Sequence, residues 1–220
     1  MNYLVLDLEM CKVPKHYRNA MYKYATEIIQ IGAVLLDQKF NVIAKLNQYV
    51  HPQYGVIDYY ISNLTGIKKE QLKHAPCLEE ALVNMLNWLG NREYKIYAWS
   101  DSDYYQLSRE IKSKNISDSN IESFLNEENW IDYQKVFGER FDFANAVSLS
   151  DALMYCNIDI DGRLHDGLDD AINTASLIRV LENDPEFVLY NTETNLLIES
   201  EPLNFCMGDL FAGLKLGYAG

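Results

Sequence analysis

Leu4, Leu6 and Leu8 alternate with Tyr3, Val5, Asp7 and Glu9, which is the period of two that a strand requires. Ile28 to Leu36 is a near-continuous apolar run rich in branched residues, with Gly32 inside it. It predicts a central strand covered on both faces, with a close backbone approach at the glycine. After the polar turn Asp37 to Asn41, Val42 to Val50 predicts a third strand and completes a meander. His51 to Pro76 has no sustained period and reads as irregular chain with short turns. The period then changes. Leu78, Ala81, Leu82, Met85, Leu86 and Leu89 form one apolar stripe at helical spacing, with Gly90 as its stop. Lys95 to Trp99 predicts a fourth strand, and Ser100 to Asp103 opens a helix through about Lys114. Asn129 to Asp132 predicts a short fifth strand, and Ser148 to Asp151 reads as a capping box for a helix to Cys156. Leu168, Ala171, Ile172, Ala175, Leu177, Ile178 and Leu181 give a last long helix with one face against a sheet.

Strands in a meander followed by alternating helices and strands predict an α/β protein, with a mixed five-stranded sheet flanked by helices. Beyond Pro185 the pattern differs. Phe187 to Tyr190, a polar turn at Asn191 to Asn195, and Leu196 to Ile198 predict a C-terminal β-hairpin extension over 184–220.

With 220 residues and 48% hydrophobic content, the chain can bury one large core. Its formal charge of −13 disfavours a general affinity for nucleic acid, but an acidic site can be offset by bound metal and local basic patches. Cys11, Cys77, Cys156 and Cys206 form no C-x-x-C pair, which argues against a zinc site and suits reduced thiols in a cytoplasm. The first ten residues do not resemble a signal peptide, and the longest apolar run is too short to span a bilayer.

The candidate chemistry begins on the first strand. Its spacing places Asp7 and Glu9 on one face. Carboxylates that close repel and resist burial unless a cation neutralises them; the alternative is a polar face that meets water. The following loop carries Lys12, Lys15, Arg18 and Lys23 among Tyr17, Tyr22 and Tyr24, a composition that suits single-stranded nucleic acid or, equally, a solvated loop with locally packed tyrosines. Further polar clusters stand at Ser100 to Asp103, where Asp101 or Ser102 could be a helix cap, and at His165 to Asp170. On a regular helix Asp169 would share the face of His165, whereas Asp170 would not.

These clusters resemble the motifs of the DEDDh branch of DnaQ-like 3′–5′ exonucleases, which have a ribonuclease H-like fold. Asp7-x-Glu9 matches the first motif, Trp99-x-x-x-Asp103 the second, and His165 followed by Asp170 the third. Glu27 to Val34, Leu64 to Ile67, and Ala75-Pro76 before a helix resemble the KapD and enhanced-RNAi, histone-mRNA exonuclease subfamily. The resemblance covers residues 1–183 as the exonuclease domain. The Asp7-Leu8-Glu9-Met10 opening is closer to oligoribonuclease, and Ser100 stands where glycine commonly follows the tryptophan.

The resemblance implies a metal-dependent exonuclease that hydrolyses single-stranded RNA or DNA from its 3′ end, RNA favoured, to nucleoside 5′-monophosphates. Asp7, Glu9 and Asp170 would hold one divalent ion and Asp103 would help Asp7 hold a second, the hard oxygen donors selecting Mg²⁺ or Mn²⁺. Two such ions about 3.5–4 Å apart neutralise both attacking and leaving oxygens. His165 would be the general base. Family register selects Asp170 over Asp169. Met10, Thr65, Gly66 and Ile67 would contact the terminal nucleotides, with ordinary core as the alternative for Ile67. Two other functions are open: oligoribonuclease-like degradation of very short RNA, and a catalytically silent nucleic-acid-binding or regulatory domain.

Overall fold

Strand β1, Asn2–Lys12, is the middle of a five-stranded sheet. On one side it pairs antiparallel with β2, Thr26–Leu36, which pairs antiparallel with β3, Val42–Tyr49. On the other side it runs parallel to β4, Tyr94–Ala98, and β4 runs parallel to β5, Trp130–Asp132. The order is therefore β3-β2-β1-β4-β5. This computed structural model describes residues 1–18 and 22–190. The meander and the mixed sheet agree with the apolar pattern.

Helices cover both faces. The chain adds α1, Tyr59–Thr65; α2, Lys69–Leu72; α3, Leu78–Leu89; α4, Ser102–Ser113; and α5, Ser119–Phe124. After β5 come α6, Tyr133–Arg140; α7, Leu149–Tyr155; and α8, Gly167–Asn183. Leu4, Leu6 and Leu8 pack on one side with Leu78, Leu82, Met85, Leu107 and Ile121 from α3, α4 and α5. Val5, Val34 and Leu36 pack on the other with Phe137, Leu153, Ala171 and Ile178 from α6, α7 and α8. Both faces of β1 are thus covered, and the face that carries Asp7 and Glu9 does not simply meet water.

The helices that the apolar pattern did not reveal are short. Within 51–76, α1 is set by local chemistry: the Asp58 carboxylate accepts from Ile61 N at 2.9 Å, and Gly66 ends the helix at φ 79°. At α6, Asp132 caps through Lys135 N at 3.0 Å. Ser148 caps α7 as expected, its Oγ accepting from Asp151 N at 3.1 Å. Asp101 occupies the N-cap position of α4, but its side chain makes no capping hydrogen bond.

Phe187 to Tyr190 form no strand. Phe187 and Leu189 pack on the α6–α8 side of the core, and Tyr190 N donates to Tyr155 O at 2.7 Å. The remainder of the expected hairpin lies outside the described residues. No helix among the described residues is long and apolar enough to cross a membrane.

Candidate active site

The chain leaves β1 towards β2 and β3, then returns to lay β4 on its other side. The carboxyl ends of β1 and β4 therefore flank the place where the strand order reverses, where open α/β sheets leave a crevice. A cleft of about 510 Å³ lies there, lined by Asp7, Glu9, Met10, Trp99, Asp103, His165 and Asp170 among others. The clusters from three distant parts of the chain meet in it.

Each acid is held by its own element. Asp7 is half-buried on β1; Glu9 is 4% exposed, and a register irregularity follows it at Met10. Asp103 is buried in the first turn of α4, and its Oδ1 accepts from Leu8 N at 3.2 Å. Asp170 is buried in the first turn of α8. Its Oδ2 accepts from His165 N at 2.8 Å, while its Oδ1 is buried with no hydrogen-bond partner among the described residues. Ligand atoms of Glu9, His165 and Asp170 lie within 4.8 Å of one another.

Helix α8 reaches this position because two glycines allow it. A Cβ at Gly32 would collide with the backbone of Gly167, and one at Gly167 would press on Asp7 O and Gln30 Oε1 at 3.3 Å. Gln30, opposite Glu9 in the ladder, fastens the contact: Gly167 N donates to its Oε1 at 2.9 Å, and its Nε2 donates to Asp166 at 3.2 Å. Asp166 caps α8, accepting from Leu168 N at 3.0 Å. His165 just before it sits at φ 64°, a left-handed conformation that few side chains other than Asn, Asp and His adopt.

The neighbouring acids separate cleanly. Asp169 turns away and accepts from Arg163 N at 2.8 Å, bracing the Gly162 turn at φ 72°. Asp170 turns into the cleft.

Burial shifts all four acids upward. The carboxyls of Asp7 and Glu9 titrate well above the ordinary range, through burial first and then the repulsion of their acidic neighbours. Burial lifts Asp103 to about 7 against the pull of the Leu8 N–H, and lifts Asp170 to about 6 against that of the His165 N–H. His165 is lowered, first by burial of its surroundings and then by the Arg163 guanidinium. A cluster of carboxylates that resist ionisation, with one orphaned oxygen, fits a cation held by hard oxygen donors.

The substrate-contact expectations divide. Met10 lines the cleft at 9% exposure. Thr65, Gly66 and Ile67 are not among its lining residues. Thr65 Oγ1 donates to Ile61 O at 2.9 Å and accepts from Ile67 N at 3.1 Å. Ile67 is 1% exposed, in a cluster with Cys11, Ile29, Ile57, Ile61 and Leu72, so the ordinary-core alternative describes its packing. Gly66 lies against Arg163. In the basic loop, Tyr22 is core: fully buried, stacked on Tyr54, with its OH donating to Thr26 O at 2.5 Å.

Pattern reasoning missed Gln30 and a buried polar network at the start of β2. Glu27 accepts from Gln53 N and Tyr54 N, each at 2.7 Å, and pairs with Lys114 Nζ at 2.6 Å. Lys114 also pairs with Glu110 at 2.8 Å. The four-residue spacing of Glu110 and Lys114 was the available signal.

A mixed sheet of this order with helices on both faces and an acid cluster at the β1–β4 crevice defines the ribonuclease H-like fold of exonucleases. Residues 4–178 match the RNase_T family model, described as Exonuclease, and the chain belongs to that family. Among curated proteins it is 27% identical over 173 residues to 3′-5′ exoribonuclease 1 of Rattus norvegicus, covering 74% of this chain and 49% of the relative. It is 30% identical over 185 residues to ERI1 exoribonuclease 2 of Homo sapiens, covering 73% of this chain and 26% of the relative. The chain thus spans about half the length of the first of these relatives, and about a quarter of the second. The fold matches the nuclease domain of 3′hExo, a DEDDh family member solved with rAMP, at TM-score 0.69 and 20% identity over 86% of this chain and 96% of that one.

Proposed function

We propose that the chain is a metal-dependent 3′–5′ exonuclease that shortens single-stranded nucleic acid, RNA in preference to DNA, to nucleoside 5′-monophosphates. The observation that carries this reading is the convergence of Asp7, Glu9, Asp103, His165 and Asp170 in one cleft, with the Asp170 Oδ1 left without a partner. Asp7, Glu9, Asp103 and Asp170 would hold two divalent ions, Mg²⁺ or Mn²⁺, which supply charge neutralisation at the scissile phosphate when bound. His165, with its ring beside the Glu9 and Asp170 carboxylates, takes the proton from the attacking water. The lowered affinity of its imidazole for protons keeps it in the basic form near neutral pH. Met10 shapes the wall for the terminal nucleotide, and the Thr65–Ile67 segment supports that side of the domain through its packing.

Relatives named exoribonucleases support RNA as substrate. For the finer affiliation we propose the KapD and enhanced-RNAi subfamily. The ERI1 relatives support its second half, as does a neighbour solved as a 3′-exonuclease recognising a histone mRNA stem-loop. Cys11, Cys77 and Cys156 are free thiols, which supports a cytoplasmic location.

The test is a panel of 5′-labelled RNA, DNA and dinucleotides with Mg²⁺ or Mn²⁺. Stepwise shortening from the 3′ end that Asp7→Ala abolishes is expected. An Asp7→Ala variant as active as the parent overturns the assignment. Turnover confined to dinucleotides would move the reading to the oligoribonuclease-like activity that the Asp7-Leu8-Glu9-Met10 opening favours.

A further inference from the structure

Five carboxylates line the cleft, those of Asp7, Glu9, Asp101, Asp103 and Asp170, and Arg109 is the one Lys or Arg among its lining residues in the described part of the chain. Arg109 stands on α4 in a stripe with Ser102 and Tyr105, three and four residues apart, and all three line the cleft. Its surroundings are unusual for a guanidinium in an acidic setting. Nη2 donates to two neutral acceptors, Thr26 Oγ1 at 3.2 Å and Gln106 Oε1. Its Cζ lies 5.3 Å from the centre of the Tyr24 ring. Nε is buried with no hydrogen-bond partner among the described residues. The nearby acids Glu27 and Glu110 are taken by Lys114, and no salt bridge among the described residues reaches Arg109. The result is a planar cation at the edge of the cleft, held by a ring, a hydroxyl and an amide and paired to no carboxylate among the described residues. A guanidinium so placed suits a phosphate oxygen.

We propose that Arg109 binds the internucleotide phosphate on the 5′ side of the scissile one; the proposal rests on the exonuclease reading above. Hydrolysis at a 3′ end makes the last phosphodiester the scissile one, so every other phosphate of the strand lies 5′ of it. With a rise of about 1.5 Å per residue, Arg109 stands about 9 Å along α4 from Asp103. That separates it from a phosphate held among the acids and leaves it for a neighbour. Tyr105, 52% exposed one turn before it, offers a ring to an adjoining base. In a chain of formal charge −13, one cation at this place provides the attraction that the acidic cleft lacks.

The experiment compares a short 5′-labelled RNA with the same RNA carrying a neutral methylphosphonate at the linkage just 5′ of the scissile one. For the parent protein the neutral linkage is expected to raise KM about tenfold, the worth of one charge-assisted hydrogen bond. Arg109→Gln is expected to raise KM on the ordinary RNA by a similar factor, mainly in KM and not in kcat, and to show no further rise with the neutral linkage. Arg109→Lys should recover part of the loss. A parent indifferent to the neutral linkage overturns the proposal, as do two losses that add in full. Where Arg109→Gln fails to fold, the parent's response to the neutral linkage decides alone. A parent that shortens no oligonucleotide sinks the exonuclease reading itself, which is a different result from either.

Discussion

The backbone N–H of His165 donates to the carboxylate of Asp170 at 2.8 Å. One oxygen of Asp170 thus holds the loop that carries the imidazole, while the other stays free of hydrogen bonds inside the cleft. The two functions of that carboxylate can be separated. Asp170→Asn keeps an oxygen for the His165 N–H but loses the charge, whereas Asp170→Ala loses both. Both should cut kcat about 10³-fold, the scale of a lost metal ligand. Only the alanine variant should also relax the loop, seen as faster amide exchange at His165.

Replacing His165 by Ala should lower kcat by about 10²–10⁴-fold, as for a lost general base, while metal binding measured by calorimetry persists. Because burial and Arg163 lower its pKa, the acid limb of the parent's rate profile should fall below pH 6.5. Arg163→Gln removes a repelling positive charge and should move that limb upward.

The raised acids tie stability to pH. A carboxyl whose folded pKa exceeds its unfolded value binds more protons when folded, so its contribution is full below the unfolded value and is lost as pH rises through the folded one. With Asp170 at about 6 and Asp103 at about 7, against an ordinary 3.8, the metal-free chain should lose stability between about pH 4 and 7. A divalent ion reverses the penalty and displaces those protons. Mg²⁺ should therefore raise Tm more at pH 8 than at pH 5, and binding should release protons near pH 6.

Gly32→Ala forces a methyl into the Gly167 backbone. It should cost about 3 kcal/mol and lower activity in the molecules that remain folded, because α8 carries Asp170 and the loop leading into it carries His165. Thermal denaturation and specific activity measured together check this.

Lys114→Met leaves Glu27 and Glu110 buried together without their shared cation. A loss of about 3–5 kcal/mol is expected, with no comparable fall in turnover per folded molecule. Urea denaturation measures the first and active-site titration the second.

Strands and long helices were legible because their apolar positions repeat: Ile28 to Leu36 and the Leu78 to Leu89 stripe both appear as elements within two residues of their expected ends. The short helices α1 and α6 were not, since a turn or two fixed by an Asp cap leaves no periodic signature. The acids now in the cleft were readable as polar residues at the ends of core elements. What spacing left open between Asp169 and Asp170 is explained by the left-handed backbone at His165, which breaks helical register just before α8. Gln30 was hidden because a polar residue inside an apolar strand looks like noise until its partner, Gly167 N, arrives from 137 positions away. Thr65 and Ile67 are not among the residues that line the cleft, their side chains being engaged in the packing around α1.

Helix α8 supplies Asp170, with His165 two residues before its start, and it is the last of the described elements to leave the ribosome. A growing chain that ends before it holds Asp7, Glu9 and Asp103 on a sheet with one covering layer unfinished. Translation runs from the amino end, so on the proposed reading the metal-ligand set and the general base are complete only with this helix. Under that reading, a growing chain that still lacks Asp170 does not cut the RNA it is made from.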